Sequence, residues 1–140
     1  MKAEAEIKSY RDRVAWQKAM ELVEQVYGLA RSLPPEERFG LVAQMQRAAI
    51  SIPANIAEGQ GRKHRKEFVN HLSIARGSLM ETETYLLLLG RLGFVSKEGL
   101  QGIWHLSQDV GRLLNGLLRA LQRAPARQLA VGRLPLATGH

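Results

Sequence analysis

The sequence predicts an all-α protein, an up-down-up-down antiparallel four-helix bundle, on three observations. Apolar residues recur at three- and four-residue steps in four separate segments. Strand-type alternation runs over no useful length. Proline or glycine stands at each join, where the chain must leave the helix. At 140 residues and 45% hydrophobic composition, the chain is one domain with enough apolar material for a core.

The first helix is expected from about Arg11 to Leu33. Ala15, Ala19, Leu22, Val26, Leu29 and Leu33 form one stripe, Ser9 or Asp12 can cap the start, and Pro34-Pro35 forces the end. The second opens at Pro35 or Glu36, with Glu36 and Glu37 favourable to the helix dipole. Leu41, Met45, Ala48, Ile52 and Ile56 are its stripe. Pro53 falls inside that stripe, so a bend rather than a stop is expected near 49–53. Gly59 and Gly61 close the segment. The third helix is expected from about Lys63 to Leu92 on Phe68, Leu72, Ala75, Leu79, Leu86 and Leu89, widened by Val69 and Leu87, with Gly93 as its stop. Ser96 caps the fourth, which runs to about Arg123 on Ile103, Leu106, Val110, Leu113, Leu117 and Leu121. Gly99, Gly102, Gly111 and Gly116 lie in it, each costing up to about 1 kcal/mol against alanine. The bundle is therefore expected over 1–123, followed by a mobile basic tail over 124–140 that loses periodicity and gains Pro and Gly. Short connections make neighbouring helices antiparallel.

Twenty Lys and Arg against thirteen Asp and Glu give a formal charge of +7. Such a balance points to anionic partners, nucleic acid first and a membrane surface second. Absence of cysteine excludes disulfides, thiolate metal sites and a cysteine nucleophile. The longest apolar run, Tyr85–Leu89, falls far short of the roughly 18 residues of a membrane span. The first residues carry two acids and no apolar segment, so no secretory signal is expected. These features predict a cytoplasmic protein with no membrane partner.

Two polar features stand out. Gln44, Arg47, Ser51, Asn55 and Glu58 follow one another at three- and four-residue steps, on a line roughly 80° from the apolar stripe. Half-buried polar groups there need partners, and Ser78 and Glu81 of the third helix are candidates. The seam is either a structural hydrogen-bond network or a binding cluster built on Arg47, Asn55 and Glu58. The second feature is Arg62-Lys63-His64-Arg65-Lys66, four formal cations in five residues at a helix start. Free amides, helix dipole and basic side chains all favour phosphate there. With Arg76, residues 61–76 hold five basic and one acidic residue. A solvated basic loop is the plain alternative. Contact with a nucleic-acid backbone, through Arg47, Arg62, Lys63, His64, Arg65, Lys66 and Arg76, is the functional one. Such contacts position the ligand without reading its sequence.

Signals for catalysis are missing. There is no H-E-x-x-H and no acid at ligand spacing beside His64 and His71, so no metal is expected. Glu81 and Glu83 point to different faces. No phosphate loop, G-x-S-x-G or dinucleotide fingerprint occurs. Trp16 and Trp104 read as core or interface residues. A non-enzymatic protein without cofactors is expected.

The stretch Gln44-Met45-Gln46-Arg47-Ala48-Ala49-Ile50-Ser51-Ile52-Pro53-Ala54-Asn55-Ile56-Ala57-Glu58-Gly59-Gln60-Gly61-Arg62 resembles the bacterial four-helix bundle proteins encoded in 23S ribosomal RNA intervening sequences. Val14-Ala15-Trp16-Gln17-Lys18-Ala19 and Leu72-Ser73-Ile74-Ala75-Arg76-Gly77-Ser78-Leu79-Met80-Glu81 are similar to the same family. The likeness covers about residues 10–95 and fades in the fourth helix. It implies a four-helix bundle assembled as a ring-shaped homopentamer, similar to the accessory variability proteins of diversity-generating retroelements, which bind nucleic acid beside a reverse transcriptase. Arg47, Ser51, Asn55, Glu58, Arg62, Ser78 and Glu81 are the matching positions, none of them catalytic by this likeness. One departure is His64, where the family commonly has a serine that would form a capping box with Glu67. Histidine caps poorly, so the start of the third helix is expected to fray or move. The expected function is RNA or DNA backbone binding by a homo-oligomer. Its rival is a structural or protein-interaction module, for example one docking a reverse transcriptase.

Overall fold

Ser9 sets the entry to the bundle. Its hydroxyl accepts from the Arg11 amide at 3.1 Å, while the Asp12 carboxylate accepts from the Lys8 and Ser9 amides at 2.8 and 3.1 Å. Those amides hold the Asp12 carboxyl below its ordinary range. The reciprocal box closes a 3-10 turn, Tyr10–Asp12, and regular helix starts only at Val14 rather than at Arg11. The computed structural model describes residues 7–132, and the side chains of 7–123. Among them are four α-helices and no strand: α1 Val14–Ala30, α2 Ala43–Gln60, α3 Arg65–Arg91 and α4 Lys97–Gly132.

Burial follows the expected stripes in the first three helices except at Leu29 and Leu41, which are partly buried at the edge of the core. Ala15, Ala19, Leu22, Val26 and Leu33 are buried from the first segment, and Met45, Ala48, Ile52 and Ile56 from the second. α2 begins later than expected. Pro35–Glu37 forms a 3-10 turn and Arg38–Val42 a π-type turn before Ala43. None of these eight residues is fully buried. Leu41 and Val42 at the end pack partly on the core, too little to select a regular helix across the segment, and Gly40 disfavours one. From Ala43 the helix runs through Pro53 without interruption.

In α3 the expected stripe is buried together with Ser78 and Thr82, but Leu87 does not widen it. That side chain is 55% exposed, because it lies about 100° around the helix from Leu86. Gly93 takes a φ of 79°, and the Phe94 amide bonds back to the Leu89 carbonyl at 3.0 Å. A left-handed residue closing the last turn in this way favours glycine. Ser96 caps α4 as expected, accepting from the Gly99 amide at 3.0 Å.

Two corrections belong to α4. Its buried stripe is Ile103, Leu106, Val110, Leu114 and Leu118; Leu113, Leu117 and Leu121 flank it, partly buried. Past Val110 the core keeps four-residue steps, and the expected three-residue step to Leu113 leads off its centre. The helix also passes its expected end at Arg123 and reaches Gly132: it continues through Pro125, which removes one backbone bond, into Ala126–Ala130, which are good helix formers. Of the expected tail, 133–140 and the side chains from 124 lie outside the described residues.

α1 packs against α2 and α4, and α3 against the same two, which closes an antiparallel square. The register is legible in contacting pairs. Ser51 meets Ser78 and Asn55 meets His71 across α2 and α3; Glu83 meets Gln108 across α3 and α4. No helix among the described residues is long and apolar enough to cross a membrane.

Candidate nucleic-acid interface

The antiparallel register brings the start of α1, the end of α2, the start of α3 and the later turns of α4 to one pole. Lys8, Arg11, Arg13, Arg62, Lys63, Arg65, Lys66, Arg119 and Arg123 gather there against Asp12, Glu58 and Glu67. The balance is nine basic against three acidic side chains, or +6. Over the rest of residues 7–123, eight basic and eight acidic side chains cancel. The whole excess charge of the described side chains therefore sits at one end of the bundle. Low-dielectric protein on one side of such a cluster focuses its field outward.

Arg62, Lys63, His64 and Lys66 are exposed and Arg65 is half-buried. Arg62 donates to the Glu58 carboxylate at 2.9 Å. This is an exposed i, i+4 pair, weak enough to yield to a phosphate. Among the described residues Lys63, Arg65 and Lys66 form no ion pair. His64 is the N-cap of α3 and makes no side-chain capping bond, as its chemistry predicts.

Arg13 is a functional candidate the sequence did not single out. Its Nε donates to Gln60 Oε1 at 2.7 Å, and its guanidinium lies over the Phe68 ring, 5.5 Å from the centroid. Burial pulls its pKa below the ordinary arginine value. In the sequence it is one more charge before a helix, and no local signal distinguishes it from Arg11.

Not every expected binding residue reaches this pole. Arg47 lies 15 residues before Arg62, about 22 Å along the helix axis, and Arg76 stands 11 residues into α3 from Arg65, about 16 Å away. Arg47 donates to Gln44 at 3.2 Å. It also sits beside Tyr85, whose phenol burial and then Glu81 push up while Arg47 acts the other way.

Of the expected polar seam, Ser51 and Asn55 enter a hydrogen-bond network in the α2–α3 contact, whereas Gln44, Arg47 and Glu58 are exposed, Gln44 and Arg47 bonding each other and Glu58 bonding Arg62. Asn55 Nδ2 donates to the Ser51 carbonyl and hydroxyl at 2.9 and 3.0 Å. Ser78, buried on α3, donates to the Ser51 hydroxyl at 2.8 Å. His71 completes the set: its Nδ1 lies 3.0 Å from Asn55 Oδ1, which assigns the proton to Nδ1 because the amide oxygen only accepts. Ser78 thus fulfils its expectation. Glu81 does not, since its carboxylate accepts from Tyr85 on its own helix at 3.4 Å. The available signal for His71 was its seven-residue spacing from Ser78, two turns on one face.

Beneath the pole, Gly59 is buried, and a Cβ there would stand 2.8 Å from His71 Cβ and 2.9 Å from Phe68 Cδ1. Glycine lets α2 and α3 close on each other just below the basic cluster.

Comparison with curated proteins gives no match. Among solved structures, the chain is similar to a protein of unknown function from the S23 ribosomal protein family of Bacteroides thetaiotaomicron VPI-5482. The two share 31% identity and a TM-score of 0.72, over 77% of this chain and 97% of that one. Residues 11–116, from the basic pole through all four helices, match the 23S rRNA-intervening sequence protein family. A bundle with this seam and this register, matched over that span, belongs to the 23S rRNA-intervening sequence protein family.

Proposed function

We propose that this protein is a non-catalytic, homo-oligomeric nucleic-acid-binding protein of the cytoplasm that holds a phosphate backbone at its basic pole. The observation that carries the reading is the segregation of charge, +6 at one end and balance elsewhere. The family's tie to intervening sequences of 23S rRNA favours RNA over DNA as the ligand. Phosphate contacts of this kind give affinity without sequence discrimination and weaken steeply with salt.

Self-association is supported by the outer side of α3, where Ile74, Met80, Leu87 and Leu92 are each more than half exposed. Helical spacing sets Ile74 with Leu92 and Met80 with Leu87 on two lines about 120–140° apart around the helix, and apolar strips left in solvent on that side suit contact with further copies. A ring of five, which the family likeness implies, would repeat the basic pole around one axis and let weak contacts act together. The same strips suit the rival reading, a scaffold that docks a protein such as a reverse transcriptase.

The test replaces Arg62, Lys63, Arg65 and Lys66 with Glu and measures binding to a duplex RNA by fluorescence anisotropy. Binding of the natural protein should fall with a log–log salt slope of about −4 for four to five contacted phosphates. The variant should keep its helical circular dichroism and lose binding. Unchanged affinity in the variant would remove the pole as the site, and no binding by either protein would favour the protein-docking scaffold.

A further inference from the structure

Arg13 differs from the other cations of the pole in being held. Lys63 and Lys66 are long side chains in solvent with no ion-pair partner among the described residues, whereas the Arg13 guanidinium is fixed on two sides. Gln60 takes its Nε–H at 2.7 Å, and the Phe68 ring supports one face. Its two terminal nitrogens make no hydrogen bond among the described residues. They reach the surface, since no buried side-chain nitrogen or oxygen there lacks a partner. Among the described residues no carboxylate pairs with the charge either, and burial moves its pKa downward. A half-buried cation without a counter-ion is costly unless something anionic completes it.

The nearby rings are already engaged. Tyr10 and Trp16 pack edge-to-face on each other with centroids 5.2 Å apart, and Phe68 is buried under the guanidinium. What faces outward between the first turn of α1 and the last turn of α2 is therefore an oriented fork of N–H donors. Such a fork matches two oxygens of one phosphate, and its bound orientation is already set before the ligand arrives.

We propose that Arg13 is the oriented phosphate-binding residue of the basic pole, pre-set by Gln60 and Phe68 to grip one backbone phosphodiester of the bound nucleic acid. This rests on the nucleic-acid reading of the pole. The surrounding lysines and arginines attract the polyanion, and Arg13 fixes where a phosphate sits. Gln60 is a positioning residue that acts through Arg13.

The test compares duplex-RNA affinity for the natural protein, Arg13→Lys, Gln60→Ala and Arg91→Lys, the last a control at the opposite pole. Arg13→Lys keeps the charge and removes the fork, and should weaken binding about tenfold. Gln60→Ala should weaken it in the same direction at constant charge, while Arg91→Lys stays within about twofold. Should Arg13→Lys melt too low to assay, nitrogen-15 spectra of the natural protein titrated with inorganic pyrophosphate replace it. The Arg13 Nε–Hε signal is then expected to shift. If Arg13→Lys binds like the natural protein while the fourfold Glu variant has lost binding, the pole stands and Arg13 is not its grip. A motionless Arg13 signal beside shifting neighbours would likewise rule out Arg13 as the grip. If the natural protein binds no duplex RNA, both readings fall together.

Discussion

Gly59 and Gly77 have the same chemistry and opposite surroundings. A methyl group at Gly59 collides with His71 Cβ, an atom carried directly on the α3 backbone, and with the buried Phe68 ring. Gly77, exposed in the middle of α3, has nothing within 4 Å of the same position. Gly59→Ala should therefore destabilise the bundle by about 1–3 kcal/mol as two helices are pushed apart. Gly77→Ala should stabilise it by about 0.5–1 kcal/mol by removing backbone freedom from the unfolded chain. Urea denaturation of both variants checks the two signs at once. Glu83 supplies a prediction in pH. Burial pushes its carboxyl up, against a hydrogen bond from Gln108 at 3.0 Å that acts the other way. The folded state then holds this proton more tightly than the unfolded chain does. Its contribution to stability is greatest below the ordinary glutamate value and is lost as pH rises through the folded value. Glu83→Gln keeps an acceptor for Gln108 and removes the titration. Its melting temperature relative to the natural protein should rise between about pH 4 and pH 7.

At the scale of the element, the start of α3 lacks a side-chain cap. His64 occupies the N-cap with a φ of −103° and a ψ of 138° and bonds nothing with its side chain. Glu67 is already three residues on, where a capping box needs it. His64→Ser should complete that box and raise stability by about 0.5–2 kcal/mol, measured by thermal or urea unfolding. The seam works on the same helix in another way. Ser51, Asn55, His71 and Ser78 form a satisfied polar line in the contact between α2 and α3. The Ser78–Ser51 and His71–Asn55 bonds depend on one alignment of the two helices, because a slip by one residue turns each side chain by about 100°. This line aligns the helices that present Arg62–Lys66.

For the whole molecule, the decisive property is polarity. The four helices alternate in direction, so segments distant in sequence share an end. Around the basic pole, residues from 8 to 123 converge. At the side, Ile74, Met80 and Leu87 of α3 and Leu92 at its C-cap are left to solvent, strips that further copies would cover. Light scattering should return a mass several times the 15.6 kDa of one chain, and five times that value for the ring. A monomeric mass at micromolar concentration would remove self-association and leave each pole to bind alone.

Helix existence, the core stripes of α1 to α3 and the caps at Ser9 and Ser96 were legible in the sequence, because each depends on residues within a few turns of one another. The Arg62–Lys66 cluster was legible for the same reason. Start positions were less so: of the eight residues before Ala43 only Leu41 and Val42 pack partly on the core, and local pattern has little hold where so little of a face is selected. Nor did periodicity place Leu114 and Leu118 ahead of Leu113 and Leu117, since both pairs flank one helical line and only the neighbouring helices choose between them. Arg13 against Gln60 and Phe68 and His71 against Asn55 were decided by tertiary structure, whereas the distance of Arg47 from the basic cluster follows from helix rise alone. Residues 13 and 60, or 55 and 71, meet only through the register of antiparallel helices, and that register is a property of the packed bundle rather than of any one segment.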